Sequence, residues 1–428
     1  MVEQRTTPIR ITGARITPVA FADPPLLNTV GVHQPYALRA IIQLDTDAGL
    51  VGLGETYADS RHLARLNAAA EAITGLDVFA LNAIRATIAV ALADDLKSDT
   101  AAVGTAGMIT TASAVDQVLS PFEVACLDIQ GHWLGRPVSD LLGGKVRDAV
   151  PFSAYLFYKW AAHPGQEPDR FGEALDPAGL VAQARRIIDE YGFTAIKLKG
   201  GVFPPEEEMA AIEALAEAFP GMPLRLDPNA AWTPQTSVKV ASGLAGILQY
   251  LEDPTPGLDA MAEVAQQAPM PLATNMCVVA FDQLAPAVAK GSVKVVLSDH
   301  HYWGGLHRSR LLAGICETFG LGLSMHSNSH LGISLAAMVH LAGATPNLTY
   351  ACDTHWPWKT EDVVKDGALR FVDGAVAVPT TSGLGVEIDE DALAALHEQY
   401  LRCGIRDRDD TGYMQSVHPD FELAGPRW

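Results

Sequence analysis

The sequence has few cysteines, no long apolar run and a shortage of cations. Its five cysteines are odd in number and include no Cys-x-x-Cys pair, a pattern that predicts reduced packing residues in a cytoplasmic protein. The stretch from Met1 to Gly13 has no apolar signal core, and no run approaches the roughly 18 apolar residues of a membrane span. We therefore expect a cytoplasmic protein with no membrane partner.

The charge balance argues against nucleic acid as a partner. Lysine and arginine number 30 against 50 acidic residues, which gives a net charge of −20 and a pI near 5.0. Nucleic acids and anionic membranes both require clustered cations. Acidity of this kind ordinarily serves solubility, and an anionic small molecule stays compatible where local cations line its pocket.

Polar residues close six successive apolar runs between Thr194 and Asn328. They follow one another at intervals of 23 to 28 residues and are Lys199, Asp227, Glu252, Asn275, Asp299 and His326. This interval fits one strand, one helix and two loops, and it predicts a (β/α) barrel whose chemistry lies at the C-terminal strand ends. An open doubly wound sheet also alternates strands and helices, but it would not usually direct six successive strand ends to one point.

The segments on either side of this stretch predict a second, smaller domain. Residues 1–57 contain alternating strand patterns, and residues 58–144 contain Ala-rich helical patterns. One of these helices is predicted to begin with Ser120 at its N-cap and Pro121 in its first turn. The strand predicted to start the barrel is 150–158 and the last barrel strand is 348–355. The tail beyond Asp362 is expected to fold back onto the first domain.

Two lysines lie at the end of the first run of the series. Lys197 and Lys199 are two residues apart, so they point to the same face of a strand. Close like charges lower each other's pKa, which suits a lysine that acts as a base near neutral pH. The alternative is a strand-end pair that reaches solvent.

The next three strand ends supply hard oxygen ligands. Asp227, Glu252 and Asn275 close consecutive strands, and oxygen ligands of this kind suit Mg2+. The alternative is a set of unrelated turn residues, because Asp before Pro and Asn at a loop start are common in turns.

The last two strand ends supply a carboxylate and an imidazole. A histidine beside a carboxylate is held in one tautomer and made more basic, so His326 with Asp299 is a candidate base or acid; a lone strand-end histidine would instead be structural. Together with the lysines and the metal ligands, these groups fit removal of a proton next to a substrate carboxylate, giving an enediolate. A group on the opposite face then returns the proton or protonates a leaving hydroxyl.

The order Lys-x-Lys, Asp, Glu, Asn and Asp/His resembles the enolase superfamily, and specifically its glucarate dehydratase subgroup. The similarity extends over most of the chain, and Asn275 in place of an acid is the discriminating feature. The motifs that carry it are FEVACLDIQGHWLGRPVSDLLGG, GFTAIKLKGGV, LDPNAAW, LATNM, HSNSHLGISLA, DTHW, SGLGVEID and RDRDDTGYMQ.

The resemblance implies a modified TIM barrel, (β/α)7β, with an α+β capping domain formed by the N-terminal segment and the C-terminal tail. The expected division is a capping domain over residues 1–145, a catalytic barrel over 146–385 and a returning C-terminal segment over 386–428. A homo-oligomer is expected as well.

The resemblance also implies the role of each site residue. Asp227, Glu252 and Asn275 would bind Mg2+, Lys199 assisted by Lys197 would be one base, and Asn229 would steady the enediolate. His326 with Asp299 would be the other base and the acid for the departing hydroxyl. The residues expected to contact the substrate are Asn28, His33, Thr105, Tyr155, Asn328 and Arg408.

The implied activity is that of a hydro-lyase acting on an acid-sugar dicarboxylate. The expected substrate is D-glucarate or a related hexarate, and the product would be a 2-keto-3-deoxy (5-keto-4-deoxy) diacid. The loops after Glu252 and Asp299 differ from the family pattern, so dehydration of another acid sugar is one alternative. An epimerase or racemase is a second, because it needs the same two bases, and a binding protein that has lost catalysis is a third.

Overall fold

The first part of the chain folds as an antiparallel sheet covered by helices. The computed structural model describes residues 8–97 and 111–428. The first strands are β1 (Ile11–Ala22), β2 (Leu27–Asn28), β3 (Gly31–Val32), β4 (Tyr36–Thr46) and β5 (Val51–Tyr57). Strands β1, β4 and β5 pair antiparallel in that order, and β2 with β3 forms a short hairpin in the loop between β1 and β4.

Within the described residues, five helices follow this sheet, and the longest lies directly on strand β5. They are α1 (Ser60–Ile73), α2 (Leu81–Ala91), α3 (Ala93–Lys97), α4 (Thr111–Leu134) and α5 (Val138–Leu141). A Cβ at Gly52 would come within 2.1 Å of the carbonyl oxygen of Ala125, and one at Gly54 within 2.2 Å of that of Pro121. Glycine at both positions therefore lets the α4 backbone touch the strand. The apolar faces of sheet and helices share one core.

The prediction that a helix begins at Ser120 is wrong. Helix α4 already runs from Thr111, and Pro121 lies inside it. The Ser120 side chain does not cap the helix but donates a hydrogen bond to the carbonyl oxygen of His300 (2.8 Å). Burial of the segment between β5 and the barrel outweighs the preference of proline for a first turn.

The second part of the chain forms a ring of parallel strands wrapped by helices. Its strands are β6 (Ala149–Pro151), β7 (Ala154–Phe157), β8 (Ile196–Lys199), β9 (Leu224–Asp227), β10 (Leu248–Glu252), β11 (Leu272–Thr274), β12 (Val295–Ser298) and β13 (Gly322–Met325). Its helices are α6 (Pro177–Tyr191), α7 (Pro205–Ala218), α8 (Pro234–Gly243), α9 (Leu258–Ala265), α10 (Phe281–Lys290), α11 (His300–Trp303), α12 (Leu306–Thr318) and α13 (Gly332–Gly343). Strands β7 to β13 pair in chain order, so successive strand ends are neighbours.

The segment after α13 closes this ring. On one side, the backbone N–H of Asp353 donates to the carbonyl oxygen of Met325 (2.9 Å). On the other, the N–H of Ser153 donates to the carbonyl oxygen of Cys352 (2.8 Å), and Phe152 pairs with Cys352 in parallel orientation. Residues 350–353 therefore occupy the eighth position of the barrel, within the predicted strand 348–355.

The strand predicted over 150–158 is divided in two. Strand β6 leaves the barrel and pairs antiparallel with β15 (Ala375–Ala377), which pairs in turn with β14 (Phe371–Val372). Only β7 enters the ring. Pro151 is the last residue of β6 and lacks a backbone donor.

The C-terminal helices return to the first sheet. After a 3-10 turn at Trp356–Trp358, the chain forms α14 (Glu390–Cys403) and α15 (Asp410–Val417). The His397 imidazole contacts the carbonyl oxygen of Pro18 on β1 (2.7 Å) and the Gln399 side chain donates to that of Ala20 (2.9 Å). The predicted fold, a modified barrel with an α+β cap, is confirmed, whereas the boundaries at 145 and 385 stay a prediction. In the described ranges, no helix is both long and apolar enough to cross a membrane.

Candidate active site

The C-terminal ends of strands β8 to β13 bring the predicted polar residues to one mouth of the barrel. Lys199 and Asp227 end β8 and β9, Glu252 ends β10, and Asn275 directly follows β11. Asp299 and His326 follow β12 and β13 in the same way. Parallel pairing in chain order places these groups side by side around the mouth.

The lysine side of the mouth is a buried cluster of alternating charges. Lys197 Nζ donates to Glu252 Oε1 (2.8 Å) and to Asp353 Oδ2 (2.7 Å), and it lies 3.4 Å from Asp227 Oδ2. Lys199 Nζ donates to Asp227 Oδ2 (2.8 Å) and to Asn229 Oδ1 (2.9 Å). Lys197, Asp227, Glu252 and Asp353 are fully buried, so each charge depends on its partners for compensation.

The expectation that close lysines lower each other's pKa is wrong for Lys197. Burial opposes its charged form, but the carboxylates of Asp353 and Glu252 outweigh burial and raise the pKa of Lys197 well above its usual range. Burial raises the pKa of Glu252, whereas for Asp227 the two lysines overcome burial and lower the pKa. Lys197 is therefore held as a cation.

The three predicted metal ligands lie on neighbouring strand ends, and two of them have a buried oxygen without a hydrogen bond. One is Glu252 Oε2, which lies 2.7 Å from Lys197 Nζ, and the other is Asn275 Oδ1. Asn275 is 4% exposed, and its Oδ1 makes no hydrogen bond. An orphaned buried carbonyl oxygen is costly unless something else binds it. Beside the carboxylates of Asp227 and Glu252, it completes a set of hard oxygens that fits Mg2+.

Strained backbone supports this set. Asn229, Ala230 and Asp253 have positive φ values of 55°, 62° and 36°, a conformation that costs about 1–3 kcal/mol for residues other than glycine. The Asp253 carboxylate accepts hydrogen bonds from the Asn275 backbone N–H (2.8 Å) and from Thr274 Oγ1 (2.5 Å). Burial raises the pKa of Asp253 to about 7. These contacts fix the loop that presents the Asn275 side chain.

The histidine side of the mouth is a carboxylate shared by two imidazoles. Asp299 Oδ2 contacts Nδ1 of His326 (2.9 Å), and Oδ1 contacts Nδ1 of His301 (2.7 Å) as well as the His301 backbone N–H (2.9 Å). Burial opposes ionisation of Asp299, but His301 and His326 outweigh it and hold the pKa well below the usual range. The predicted pairing of Asp299 with His326 is thus present, and His301 is an unforeseen second partner.

The predicted distal residues come from the cap and from the C-terminal segment. Asn28 Nδ2 donates to Asp410 Oδ2 (3.0 Å), which also accepts from Arg408 Nη2 (2.7 Å). His33 Nδ1 contacts Asp23 Oδ2 (3.0 Å), and its ring lies against that of Phe157 with centroids 6.0 Å apart. Arg408 is exposed and Asn28 buried, so this group forms a rim above the barrel.

The remaining predicted contacts lie between rim and strand ends. The Tyr155 ring faces Lys197 Nζ at 4.7 Å from its centroid, and Asn328 Nδ2 donates to Tyr57 Oη (3.2 Å). His355 also lies here, and the centroid of its ring is 5.0 Å from that of Tyr155. Thr105 lies outside the described residues.

Sequence reasoning missed several residues of the site. Asp353 accepts a hydrogen bond from Lys197 (2.7 Å), and His355 is a buried imidazole that packs against Tyr155 and Phe157. Burial lowers the pKa of His355 well below the usual range, and neighbouring basic groups, which include the Arg408 guanidinium, lower it further. The signal was available, because both residues belong to the segment predicted as the last strand and continue the pattern of polar strand ends.

The chain is similar to known proteins over most of its length. Residues 179–392 match the family model described as "Enolase C-terminal domain-like". The curated relative "Probable glucarate dehydratase" from Streptomyces coelicolor is 53% identical, and the match covers 99% of this chain and all of that protein.

Two solved structures are similar over almost their whole length. An enolase from Mycobacterium smegmatis, complexed with tartrate, is 80% identical with a TM-score of 0.95 and 99% coverage of both chains. An enolase from Gibberella zeae, complexed with magnesium, formate and sulfate, is 60% identical with a TM-score of 0.96, covering 100% of this chain and 99% of that one. Matches of this extent show the family, so the chain belongs to the enolase superfamily and is a glucarate dehydratase-like hydro-lyase.

Proposed function

We propose that this enzyme is a Mg2+-dependent dehydratase of a hexarate, with D-glucarate and its C5 epimer as the first candidates. The observation that carries the proposal is the order of groups around the mouth. Three oxygen ligands on β9, β10 and β11 are flanked by Lys199 on β8 and by the Asp299–His326 pair after β12 and β13. Two unlike bases on either side of a hard-metal site are what proton removal followed by loss of a hydroxyl needs.

Asp227, Glu252 and Asn275 would hold the ion, and the unpartnered Oδ1 of Asn275 fits this role. When bound, Mg2+ would polarise a substrate carboxylate and stabilise negative charge that develops on it. The solved relative from Gibberella zeae contains magnesium, which supports the same ion here.

Lys199 would take the proton from the carbon next to the carboxylate. Its ammonium now contacts Asp227 and Asn229, so it must be neutral and turned towards substrate in order to act. Lys197, held as a cation by three carboxylates, would stabilise the enediolate oxygen, and Asn229 would donate to it from its amide.

His326 would act on the other face. With Asp299 on Nδ1, its Nε2 is the nitrogen that would face substrate and give a proton to the leaving hydroxyl at the next carbon. The same nitrogen would remove the α-proton from the opposite epimer. When Lys199 is the base, the hydroxyl leaves as water with a proton from His326, the proton taken from carbon stays on Lys199, and the two groups return to their starting states by exchanging one proton with solvent while the enol product tautomerises to the 2-keto acid.

The rim supports a dicarboxylate rather than a monoacid. Arg408, Asn28 and His33 approach from segments far apart in the sequence, and they provide one guanidinium, one amide and one imidazole above the barrel mouth. These donors suit a second, distal carboxylate. The tartrate complex of the Mycobacterium smegmatis relative supports a small hydroxy diacid in a related pocket.

The test is a screen of hexarates and sugar monoacids with Mg2+, in which 2-keto acid is measured. We expect turnover on glucarate or its C5 epimer, with loss of activity after chelation and recovery on addition of Mg2+. Turnover on a different diacid alone would contradict the substrate and keep the mechanism. Deuterium uptake at the α-carbon in heavy water, without any keto acid, would contradict dehydration and indicate an epimerase.

A further inference from the structure

Two histidines share the Asp299 carboxylate, and only one of them can be the group that exchanges protons with substrate. His326 and His301 both direct Nδ1 at Asp299, at 2.9 and 2.7 Å. All three side chains are buried, with exposed fractions between 4% and 6%. Nothing in the Asp299 contacts alone distinguishes the two imidazoles.

The far nitrogen of His301 distinguishes them. His301 Nε2 lies 2.8 Å from Nη2 of Arg39, a residue of capping strand β4, and 2.9 Å from Ser334 Oγ. A guanidinium can only donate, so Nε2 must accept and Nδ1 must carry the ring proton. A second proton on this ring would place an imidazolium 2.8 Å from a guanidinium in a site without solvent, which is strongly unfavourable.

Arg39 is itself held in place and kept charged. Its Nε donates to Glu55 Oε1 (2.8 Å) on the neighbouring strand β5, and both residues are at most 2% exposed. Glu55 also accepts from the backbone N–H groups of Leu331 and Ser334, each at 2.8 Å. Burial opposes the charge on Glu55, but Arg39 outweighs it and keeps its pKa low.

The other titratable groups around His301 are neutral near pH 7. Burial lowers the pKa of His62 to about 3 and that of His300 well below its usual range. Burial raises the pKa of Tyr57 and of Tyr302. His330 lies near Glu55, and burial lowers its pKa to about 4.

We infer that Arg39 and Glu55 of the capping domain hold His301 as a permanently neutral N–H donor to Asp299, so that His326 alone takes and gives the proton. His301 and Arg39 are positioning residues, because they act through Asp299. The inference rests on the proposed role of His326, and it adds that the cap determines which histidine titrates. Docking of the cap thus becomes part of the acid–base machinery and not only of the substrate pocket.

The experiment follows the protonation of each histidine directly. The full-length enzyme, with 15N-labelled histidine, is titrated from pH 5.5 to 9 by NMR, and the two rings are assigned from His301→Asn and His326→Asn. We expect His301 to keep one protonated and one unprotonated nitrogen throughout, while His326 titrates. A wild-type His301 that gains a second proton in this range would overturn the inference, whether or not any acid sugar is dehydrated.

A double variant tests the cause. Arg39→Met with Glu55→Gln removes both charges together, because removing one alone would leave a buried unpaired charge. We expect His301 then to titrate, kcat to fall by about 10- to 100-fold as for other orienting partners, and KM to change far less. The acid limb of the pH–rate profile should shift with the His301 titration.

The chain offers a matched control at the same helix. Asp362 accepts from the Gly332 backbone N–H (2.9 Å) and pairs with Lys359 at 2.6 Å, so this pair also supports the start of α13. Lys359→Met with Asp362→Asn should leave His301 neutral and the pH profile in place. The inference about Arg39 would be contradicted if the pH–rate profile of this control shifted equally. It would also be contradicted if His301 stayed neutral in the Arg39 double variant, and Arg39 would then have only a packing role. If the double variant does not fold, the wild-type titration still decides the protonation of His301.

Discussion

The two sides of the barrel mouth are built on different supports. On the lysine side, Lys197 is surrounded by carboxylates of the barrel itself, from Asp227, Glu252 and Asp353. On the histidine side, Asp299 is supported through His301 by Arg39 of the cap. The comparison teaches that the barrel alone brings together the groups of the lysine side, whereas the groups of the histidine side also contact the capping domain.

The largest expected effect is that of a variant on the histidine side, which should stop dehydration without stopping proton exchange on the lysine side. We expect His326→Asn to lower dehydration by about 10²- to 10⁴-fold, the usual contribution of a general acid or base. Lys199 is untouched, so exchange of the α-proton of one epimer should continue. The measurement is 2-keto acid formation beside deuterium uptake in heavy water, and full dehydration by this variant would assign the acid to another residue.

A buried histidine away from the mouth is the control for that variant. His340 contacts the backbone N–H of Ser139 and the carbonyl oxygen of Leu384, so it has a structural role. His340→Asn should lower thermal stability without removing either activity.

Loss of the unpartnered oxygen should affect both sides together. We expect Asn275→Leu to weaken Mg2+ binding and to lower turnover by about 10³-fold, because a ligand that stabilises developing charge is removed. Asn275→Asp, which keeps an oxygen at this position, is the matched variant and should bind Mg2+. Calorimetric titration with Mg2+ measures the first effect, and an unchanged affinity in Asn275→Leu would contradict the ligand assignment.

A change confined to the lysine side tests whether its charges depend on one another. Lys197→Met leaves buried carboxylates without their shared cation, and we expect a loss of about 3–5 kcal/mol in the free energy of unfolding. Chemical denaturation measures it. Lys239 forms an ion pair with Glu206 on the surface, so Lys239→Met should have no resolvable effect; equal losses in the two variants would show that burial is not the cause.

The smallest expected effect is a dependence of stability on pH. The Glu208 carboxylate accepts from the backbone N–H groups of Gly201, Val202 and Phe203 just after β8, yet burial outweighs these contacts and raises its pKa to about 7. A raised folded pKa contributes stability below the unfolded value near 4.5, and that stability is lost as the pH rises through about 7.

The free energy of unfolding of Glu208→Gln minus that of the wild type should therefore rise by about 3 kcal/mol from pH 5 to pH 8, because the wild type loses this stability and the variant does not. Denaturation of both proteins at each pH gives the difference, in which shared titrations cancel. Glu207→Gln, an exposed change on the same helix, should show no trend. A constant difference for Glu208→Gln would mean that the carboxyl is charged across this range.

The sequence was most informative at positions where a polar residue ends an apolar strand pattern. The positions of Asp227, Glu252 and Asn275 at the ends of neighbouring strands could be predicted because the barrel period determines where each strand ends, whereas their role as metal ligands stays a prediction. The partners behind them were harder to find, since a contact such as Lys197 with Asp353 joins residues 156 positions apart. Arg39 and Glu55 did leave a signal, because opposite charges inside apolar strand patterns must be paired when buried.

Helix α4 shows the opposite case, in which a local signal was misleading. Ser120 followed by Pro121 is a favourable helix start, but the contacts of the segment with Gly52 and Gly54 outweigh that preference. The repeated period of the barrel therefore predicted the strand-end positions correctly, whereas a local helix-start signal did not predict where α4 begins.

The contact between Asn28 and Asp410 has a consequence for the order in which the enzyme is made. These residues are 382 positions apart, and Arg408 reaches the rim only from the same late segment. During synthesis, the barrel strands with their acids and bases are complete long before the rim. On the proposed assignment of roles, a chain still being translated would therefore carry the acids and bases without the groups that select a diacid, and selectivity would be acquired only when the last part of the polypeptide emerges.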